Sequence, residues 1–200
     1  MKNYRLFLLV FFITMLSLSV QAQTARYTIS DASTMTVAGT STLHDWTSEV
    51  KTITGYVETS DKLINKGKLK KGEDIKNVKV TVPVKSIISA RGATMDNKTY
   101  EALKAEQHPE IVFDLGENTI TVGSDKAFTV TSKGKLTIAG KTKEVSFPVE
   151  GKLLEDNKMS FSGSYKLNMK DYDMVPPSAM FGQIETGEEV EIKFELIVIK

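Results

Sequence analysis

Residues 159–169 read MSFSGSYKLNM, and this stretch decides the fold. Apolar residues and one glycine occupy the odd positions, from Met159 to Met169, while serine, lysine and asparagine occupy the even positions. Successive side chains of an extended strand point to opposite faces, so this period of two predicts a strand with one buried and one wet face. Such a strand is stable only beside others, which the rest of the chain supplies.

Two further stretches repeat this alternation clearly, residues 78–84 and residues 190–198. Turn sequences at 115–118, 122–125 and 139–141 separate the apolar runs as short hairpin connections do. The pattern therefore predicts an all-β fold, a single antiparallel β-barrel of about eight strands, which is just wide enough to fill with side chains or to hold one small ligand. Weaker alternating runs cover residues 27–30, 34–39, 46–59, 111–115, 119–122, 127–138 and 143–153.

One segment, residues 95–107, breaks the β pattern and reads as a helix. Asp96 is an N-cap type of residue, good helix formers follow, and Pro109 disfavours helix at the residue before it. An isolated helix of this length is marginal in water, so Tyr100 and Leu103 are expected to pack on an apolar surface. The open end of the barrel is the surface at hand, which makes this short helix a candidate lid at the barrel mouth.

Residues 1–22 have the layout of a secretory signal peptide. Lys2 and Arg5 give a positive start, an apolar run covers residues 6–16, and a small residue, Ala22, precedes the expected cut. An uncleaved membrane anchor is the alternative, but the run is shorter than the roughly 20 residues that span a bilayer. We therefore expect residues 23–200 to form one domain with no stable membrane span, in the periplasm or secreted.

Charge and cysteine content exclude several classes of protein. Removal of residues 1–22 takes away two basic residues and no acidic one, so the formal net charge goes from +1 to −1. A nearly neutral domain lacks the basic surface of a nucleic-acid binder, so no nucleic-acid partner is expected. There is no cysteine, and hence no disulfide framework. Whether the chain forms a homodimer stays open.

An outer-membrane barrel is an alternative that shows the same alternation with its faces reversed. The polar faces here are rich in lysine and glutamate, and the aromatic residues do not gather at the strand ends as girdles. The predicted helix needs an apolar docking surface, and this also favours a barrel with an apolar interior over an outer-membrane barrel.

Catalytic motifs are sparse. The chain has two histidines, His44 and His108, without the ligand spacing of a zinc site. Ser41, His44 and Asp45 lie within five residues of one another, but neighbours in a turn rarely reach the geometry of a hydrolytic triad. We therefore predict a polar turn here, no catalytic residue, no metal site and no cofactor.

A second irregular stretch, residues 170–183, carries large apolar side chains without a helix or strand pattern. Such a loop either folds these groups under itself as a cap on the core or presents them to a ligand. Met180 and Phe181 are accordingly included among the candidate ligand contacts.

Four segments of the chain resemble the YceI-like proteins, secreted bacterial lipid-binding proteins with a lipocalin-like barrel. The most specific are the hairpin LTIAGKT within residues 134–143 and the stretch HPEIVF at residues 108–113. The others are residues 27–29 followed by 39–46, and residues 187–192. The resemblance implies an extended barrel with the helix across its mouth and a long polyisoprenoid chain, such as a quinone or prenyl phosphate, in the lumen. Many members carry an arginine where this chain has Asn168 to Asp173.

The hypothesis that follows is a non-catalytic carrier that binds an isoprenoid lipid in an apolar barrel lumen of the cell envelope. Arg91, Lys98 and Lys170 are either head-group contacts or solvated surface charges. One alternative is a filled barrel that acts as a structural or stress-response interaction protein; another is an enzyme with His44 and Asp45 in the lumen. The expected ligand-binding residues are Trp46, Phe113, Phe128, Phe147, Phe161 and Tyr165 on the wall, Tyr100 and Leu103 on the helix, and Met180 and Phe181 in the loop.

Overall fold

The computed structural model describes residues 23–200, and in it the chain forms a closed eight-stranded antiparallel barrel with one helix, as predicted. The expected signal peptide, residues 1–22, lies outside the described residues. The helix α1 spans Ala93–Ala102, and 3₁₀ turns cover Val84–Ser86, Glu155–Asn157, Met169–Tyr172 and Met180–Gly182. The strands are β1 (Thr24–Ile29), β2 (Thr34–Ser41), β3 (Trp46–Val50), β4 (Thr54–Ser60), β5 (Ile64–Asn65), β6 (Lys68–Leu69), β7 (Ile75–Pro83), β8 (Ile87–Ser89), β9 (Glu110–Val122), β10 (Ala127–Ile138), β11 (Lys141–Leu153), β12 (Met159–Asn168), β13 (Ser178–Ala179) and β14 (Ile184–Ile199).

The barrel wall closes through its last strand. The order around the wall is β1, β4, β7, β9, β10, β11, β12, β14, and β14 returns to β1 with Thr28 opposite Ile199. Strand β14 has 16 residues, so it also pairs with β2, beginning at Thr34 opposite Glu195. Strands β2, β3 and β8 thereby extend the wall at the end that carries the helix.

Alternation along the strands sets the two faces of the wall. In β12, Met159, Phe161 and Leu167 are buried, whereas Lys166 is exposed. Strand β10 alternates in the same way over all of its 12 residues, with Phe128 on the inner face. Because side chains in a strand change face at every residue, the period read from the sequence fixes which side chains enter the lumen.

Two local predictions in the strands differ from the structure. The run at residues 46–59 is two strands, β3 and β4, with buried Ile53 between them. The turn predicted at residues 115–118 lies inside the continuous strand β9, whose ladder with β10 shifts register between Ser132 and Gly134. The bulge accommodates the turn-forming residues within the strand, so the pairing across strands overrides their local preference for a turn.

The helix lies earlier than predicted and ends for a different reason. Its N-cap is Gly92 rather than Asp96, whose buried carboxylate instead accepts a hydrogen bond from the backbone N–H of Ser89 at 2.7 Å. At the other end, the N–H of Ala105 donates to the carbonyl of Tyr100, and the residue before Ala105 is left-handed, which is a Schellman motif. The helix therefore stops well before Pro109. Within residues 23–200 no helix has the length and apolar character needed to cross a bilayer.

The barrel end opposite the helix is filled. The segment that carries β5 and β6 covers this end with Leu63 and Leu69, which are 1% and 8% exposed. The N–H of Leu69 donates to the carbonyl of Asp125 at 2.8 Å and so joins this segment to the start of β10. Phe128 and Phe161 pack edge to face below it, with their ring centroids 5.7 Å apart. The lumen is closed at this end and bordered by the helix at the other.

Candidate functional site

A cavity of about 140 Å³ lies inside the barrel and is called the inner cavity here. Its wall is aliphatic and aromatic, and the only hydroxyl-bearing side chains among its described lining residues are those of Ser132 and Tyr165. Apolar burial is the interaction that such a space offers to a ligand. The site is suited to a hydrocarbon chain and offers little to a polar one.

Four aromatic rings line one side of the inner cavity. The ring of Phe147 is central, with its centroid 5.6 Å from that of Phe113, 5.2 Å from that of Tyr165 and 6.2 Å from that of Phe194. All four side chains are only half-buried although they point into the barrel, because they border the cavity. The rings therefore present their surfaces to the lumen rather than filling it.

Glycines on the inner face give these rings room to lie against the wall. A Cβ on Gly163 would lie 2.9 Å from Cζ of Phe194, its direct cross-strand partner. A Cβ on Gly134 would lie 2.8 Å from the ring of Phe113. An aromatic ring that covers a glycine backbone lies flat along the sheet, and this keeps the lumen open.

A second cavity of about 100 Å³ lies under the helix and is called the mouth cavity here. Met95, Lys98 and Leu103 of the helical segment form one side of it. Ile111 and Ile192 line both cavities, so the two spaces adjoin each other along the barrel axis. Together they form one path from the helix toward the filled end.

Polar contacts fix the helix over the mouth. Besides the bond from Ser89 to Asp96, the hydroxyl of Tyr100 donates to the carbonyl of Lys85 at 3.0 Å. The ammonium of Lys98 donates to the carbonyl of Ser178 in β13. The helix thus contacts both β8 and β13.

The structure places six of the ten expected ligand-binding residues on a cavity wall. Phe113, Phe147, Phe161 and Tyr165 line the inner cavity, and Trp46 and Leu103 line the mouth cavity. Phe128 is inward but buried in the filled end, and Tyr100 faces the carbonyl of Lys85; neither lines the inner cavity or the mouth cavity.

Met180 and Phe181 lie away from both cavities, contrary to the expectation that they contact a ligand. They are 64% and 110% exposed, because a turn with left-handed backbone at both positions directs their side chains outward. Met174 of the same loop is buried and lines the mouth cavity instead.

The segment around His44 forms a polar turn. The hydroxyl of Ser41 donates to the backbone carbonyl of His44 at 2.7 Å, and Nδ1 of His44 lies 3.0 Å from the backbone carbonyl oxygen of Asp45. Neither His44 nor Asp45 lines the inner cavity or the mouth cavity. In residues 23–200 there is also no cluster of three or more histidine, aspartate or glutamate side chains placed to hold a metal ion.

Two cavity-lining residues and one buried residue outside the cavities were not singled out from the sequence. Phe194 sits on the inner face of β14, and the alternation of residues 190–198 contained that information. Ser132 lies on the wall of the inner cavity, but a serine in the sequence does not indicate an inward-facing position. Tyr172 is 1% exposed, and its hydroxyl has no hydrogen-bond partner within the described part of the chain. Burial raises the pKa of this phenol well above its ordinary value.

Comparison with known protein families agrees with this fold. The sequence profile of the YceI-like domain matches residues 27–198. No curated protein sequence matches the chain significantly.

Three solved structures illustrate the likeness. BcnA of Burkholderia cenocepacia has a TM-score of 0.58 and 20% identity over 82% of this chain and 95% of that chain. A polyisoprenoid binding domain from Saccharophagus degradans, implicated in plant cell wall breakdown, has a TM-score of 0.64 and 11% identity over 88% and 98%. A YceI protein of Campylobacter jejuni has a TM-score of 0.54 and 16% identity over 76% and 84%. At these identities the likeness shows the fold alone.

Proposed function

Since this chain belongs to the YceI-like family, we propose that it is a non-catalytic binding protein that holds an isoprenoid lipid in its barrel lumen. The ligand class is a long branched hydrocarbon chain with a polar end, such as a quinone or a prenyl phosphate. With the predicted signal peptide, its place is the periplasm or the outside of the cell, where it carries the lipid between sites.

The observation that carries this proposal is the apolar inner cavity, which the mouth cavity adjoins along the barrel axis. Apolar area removed from water stabilises a complex by roughly 25 cal/mol per Å². A hydrocarbon chain in the inner cavity is surrounded by aromatic and aliphatic side chains. The name of the Saccharophagus degradans domain, a polyisoprenoid binding domain with the same fold, supports the choice of an isoprenoid over other chains.

The alternative of a filled barrel without a ligand is less well supported. A filled barrel would bury its inward rings completely, whereas Phe113, Phe147 and Tyr165 are only half-buried and border a cavity. An enzyme that acts on the bound lipid would need reactive groups in the lumen, and His44 and Asp45 lie outside it.

A binding series with prenols of increasing length tests the proposal. Each added isoprene unit that enters the lumen should strengthen binding several-fold, at about 0.8 kcal/mol per buried CH₂ as an upper limit, until the path is filled. Affinity that does not change with chain length would contradict the lumen as the binding site. Mass spectrometry of an organic extract of protein purified from its native envelope then identifies the natural ligand.

A further inference from the structure

We infer that the mouth cavity is a head-group site, in which Lys98 binds an anionic phosphate or carboxylate at the end of the bound lipid. This inference rests on the proposed function and deepens it, because it names the chemistry of the head group and the orientation of the ligand.

Polar side chains are distributed unevenly between the two cavities. The inner cavity has two hydroxyl-bearing residues in its wall, both next to aromatic or aliphatic side chains. Of the described residues that line either cavity, Lys98 is the only charged one, and it lines the mouth cavity. Four hydroxyl-bearing side chains accompany it there: Ser48, Ser89, Thr99 and Thr186.

The charge of Lys98 is less well compensated than that of its neighbours. Its ammonium contacts the carbonyl of Ser178, and among residues 23–200 no carboxylate lies within ion-pair distance of it. A carbonyl dipole does not neutralise an ammonium, so an anion beside Lys98 gains a charge-assisted hydrogen bond. Three lysines that line neither cavity are each paired with a carboxylate: Lys141 with Asp173, Lys143 with Asp171, and Lys170 with Glu188.

The shape of the lumen gives the same orientation. Phe128, Phe161 and the segment around Leu63 fill the end opposite the helix, and that end offers no charged side chain to the inner cavity. A lipid therefore places its hydrocarbon tail in the inner cavity and its head under the helix.

Lys170 is the competing candidate, because it lies in the stretch where many related proteins carry an arginine. Its ammonium is already bound to the carboxylate of Glu188, and it lines neither cavity. Lys170→Met therefore serves as the matched control for Lys98→Met: both changes remove one ammonium at the same end of the barrel.

The test measures three probes of equal carbon number, geranylgeranyl monophosphate, phytanic acid and geranylgeraniol, on four proteins. The proteins are the wild type, Lys98→Met, Lys98→Arg and Lys170→Met. The wild type should bind at least one of the two anions about tenfold more tightly than the alcohol, as expected for one hydrogen bond to a charged group. Lys98→Met should remove this preference while the affinity for the alcohol stays within about twofold. Lys98→Arg and Lys170→Met should keep the preference.

The other outcomes overturn the inference in distinguishable ways. Equal affinity of the wild type for all three probes would show that no anion is recognised. A loss in Lys98→Met that is equal for anion and alcohol would make Lys98 a structural contact to the loop at Ser178. A preference that disappears in Lys170→Met alone would move the head group to Lys170. If none of the probes binds to the wild type, the proposed function itself fails. If the inference holds, a preference of the wild type for the phosphate over phytanic acid, or the reverse, identifies which anion Lys98 binds.

Discussion

The imidazole ring of His108 lies directly on Gly140 at the tip of the hairpin between β10 and β11. A Cβ on Gly140 would lie 2.4 Å from Nε2 and 2.5 Å from Cε1 of His108. Gly140 has φ of +81° and follows Ala139 with φ of +49°, so both residues of this two-residue turn are left-handed, as in a type I′ hairpin. The two most specific sequence segments of the family resemblance, residues 108–113 and 134–143, thus meet at this contact.

Replacing Gly140 with alanine should destabilise the barrel for two reasons, backbone strain and collision with His108. We expect the free energy of unfolding to fall by about 2–4 kcal/mol, measured by denaturant titration. Gly72→Ala is the control, because Gly72 has the same φ of +81° and a Cβ on it would meet nothing within 4 Å. Equal losses in the two variants would mean that the contact with His108 contributes nothing.

Gly163→Ala tests whether the glycine beneath Phe194 keeps the lumen open. The added methyl group should push the ring of Phe194 into the inner cavity, so the affinity for geranylgeraniol should fall about tenfold, or ~1.4 kcal/mol. The free energy of unfolding should change by no more than about 1–3 kcal/mol. Ser164→Ala, on the exposed outer face of the same strand, should leave both quantities unchanged. Unaltered ligand affinity in Gly163→Ala would argue against this side of the lumen as the tail site.

Two methionines of one loop should respond very differently to the same substitution. Met174 is 6% exposed and lines the mouth cavity, so Met174→Ala should lower the free energy of unfolding by about 2–4 kcal/mol. Met180 is 64% exposed, so Met180→Ala should change it by less than about 0.5 kcal/mol. Thermal unfolding of both variants checks this, and a large loss in Met180→Ala would place that side chain in the core after all.

Tyr172 should make stability fall at alkaline pH. Its folded-state pKa is raised above the ordinary 10.0, so above about pH 10 the unfolded chain loses this proton while the folded chain keeps it. The contribution of Tyr172 to the free energy of unfolding is fully present below about pH 10. It decreases as the pH rises, by up to about 1.4 kcal/mol per pH unit.

Tyr172→Phe removes this titration and is the variant that isolates it. At neutral pH the stability of the variant should lie within about 1 kcal/mol of the wild type, because the buried hydroxyl makes no hydrogen bond to residues 23–200. Denaturant titrations at neutral pH and near pH 11 should therefore show a smaller alkaline loss in the variant. Parallel pH profiles of the two proteins would contradict the burial of the phenol.

The period-two patterns were sufficient to predict the barrel, because the alternation of apolar and polar residues determines which face of each strand is buried. Phe161 and Tyr165 were assigned to the inner face from position alone, and the structure places both on the wall of the inner cavity. Phe194 followed the same rule and could have been named from it.

Local preferences failed where distant contacts decide the geometry. Asp96 is a good N-cap residue, yet its carboxylate binds the N–H of Ser89 from β8, a partner that helix rules do not consider. Lys104 adopts the left-handed position that usually goes to glycine, and the Schellman bonds end the helix there. Phe181 is apolar but exposed. The sequence did not predict this, because side chains in an irregular segment follow no period that would show their direction.

Strand β14 also sets the order in which the barrel can be completed. It pairs with β12 on one side and with β1 and β2 on the other, and it follows all of them in the chain. Until it has been synthesised and placed, β12 and β1 expose unpaired edges that can pair with other chains. Mutations that slow the docking of β14 should thus promote aggregation during folding even when the finished barrel is unchanged in stability, because the damage is done before closure.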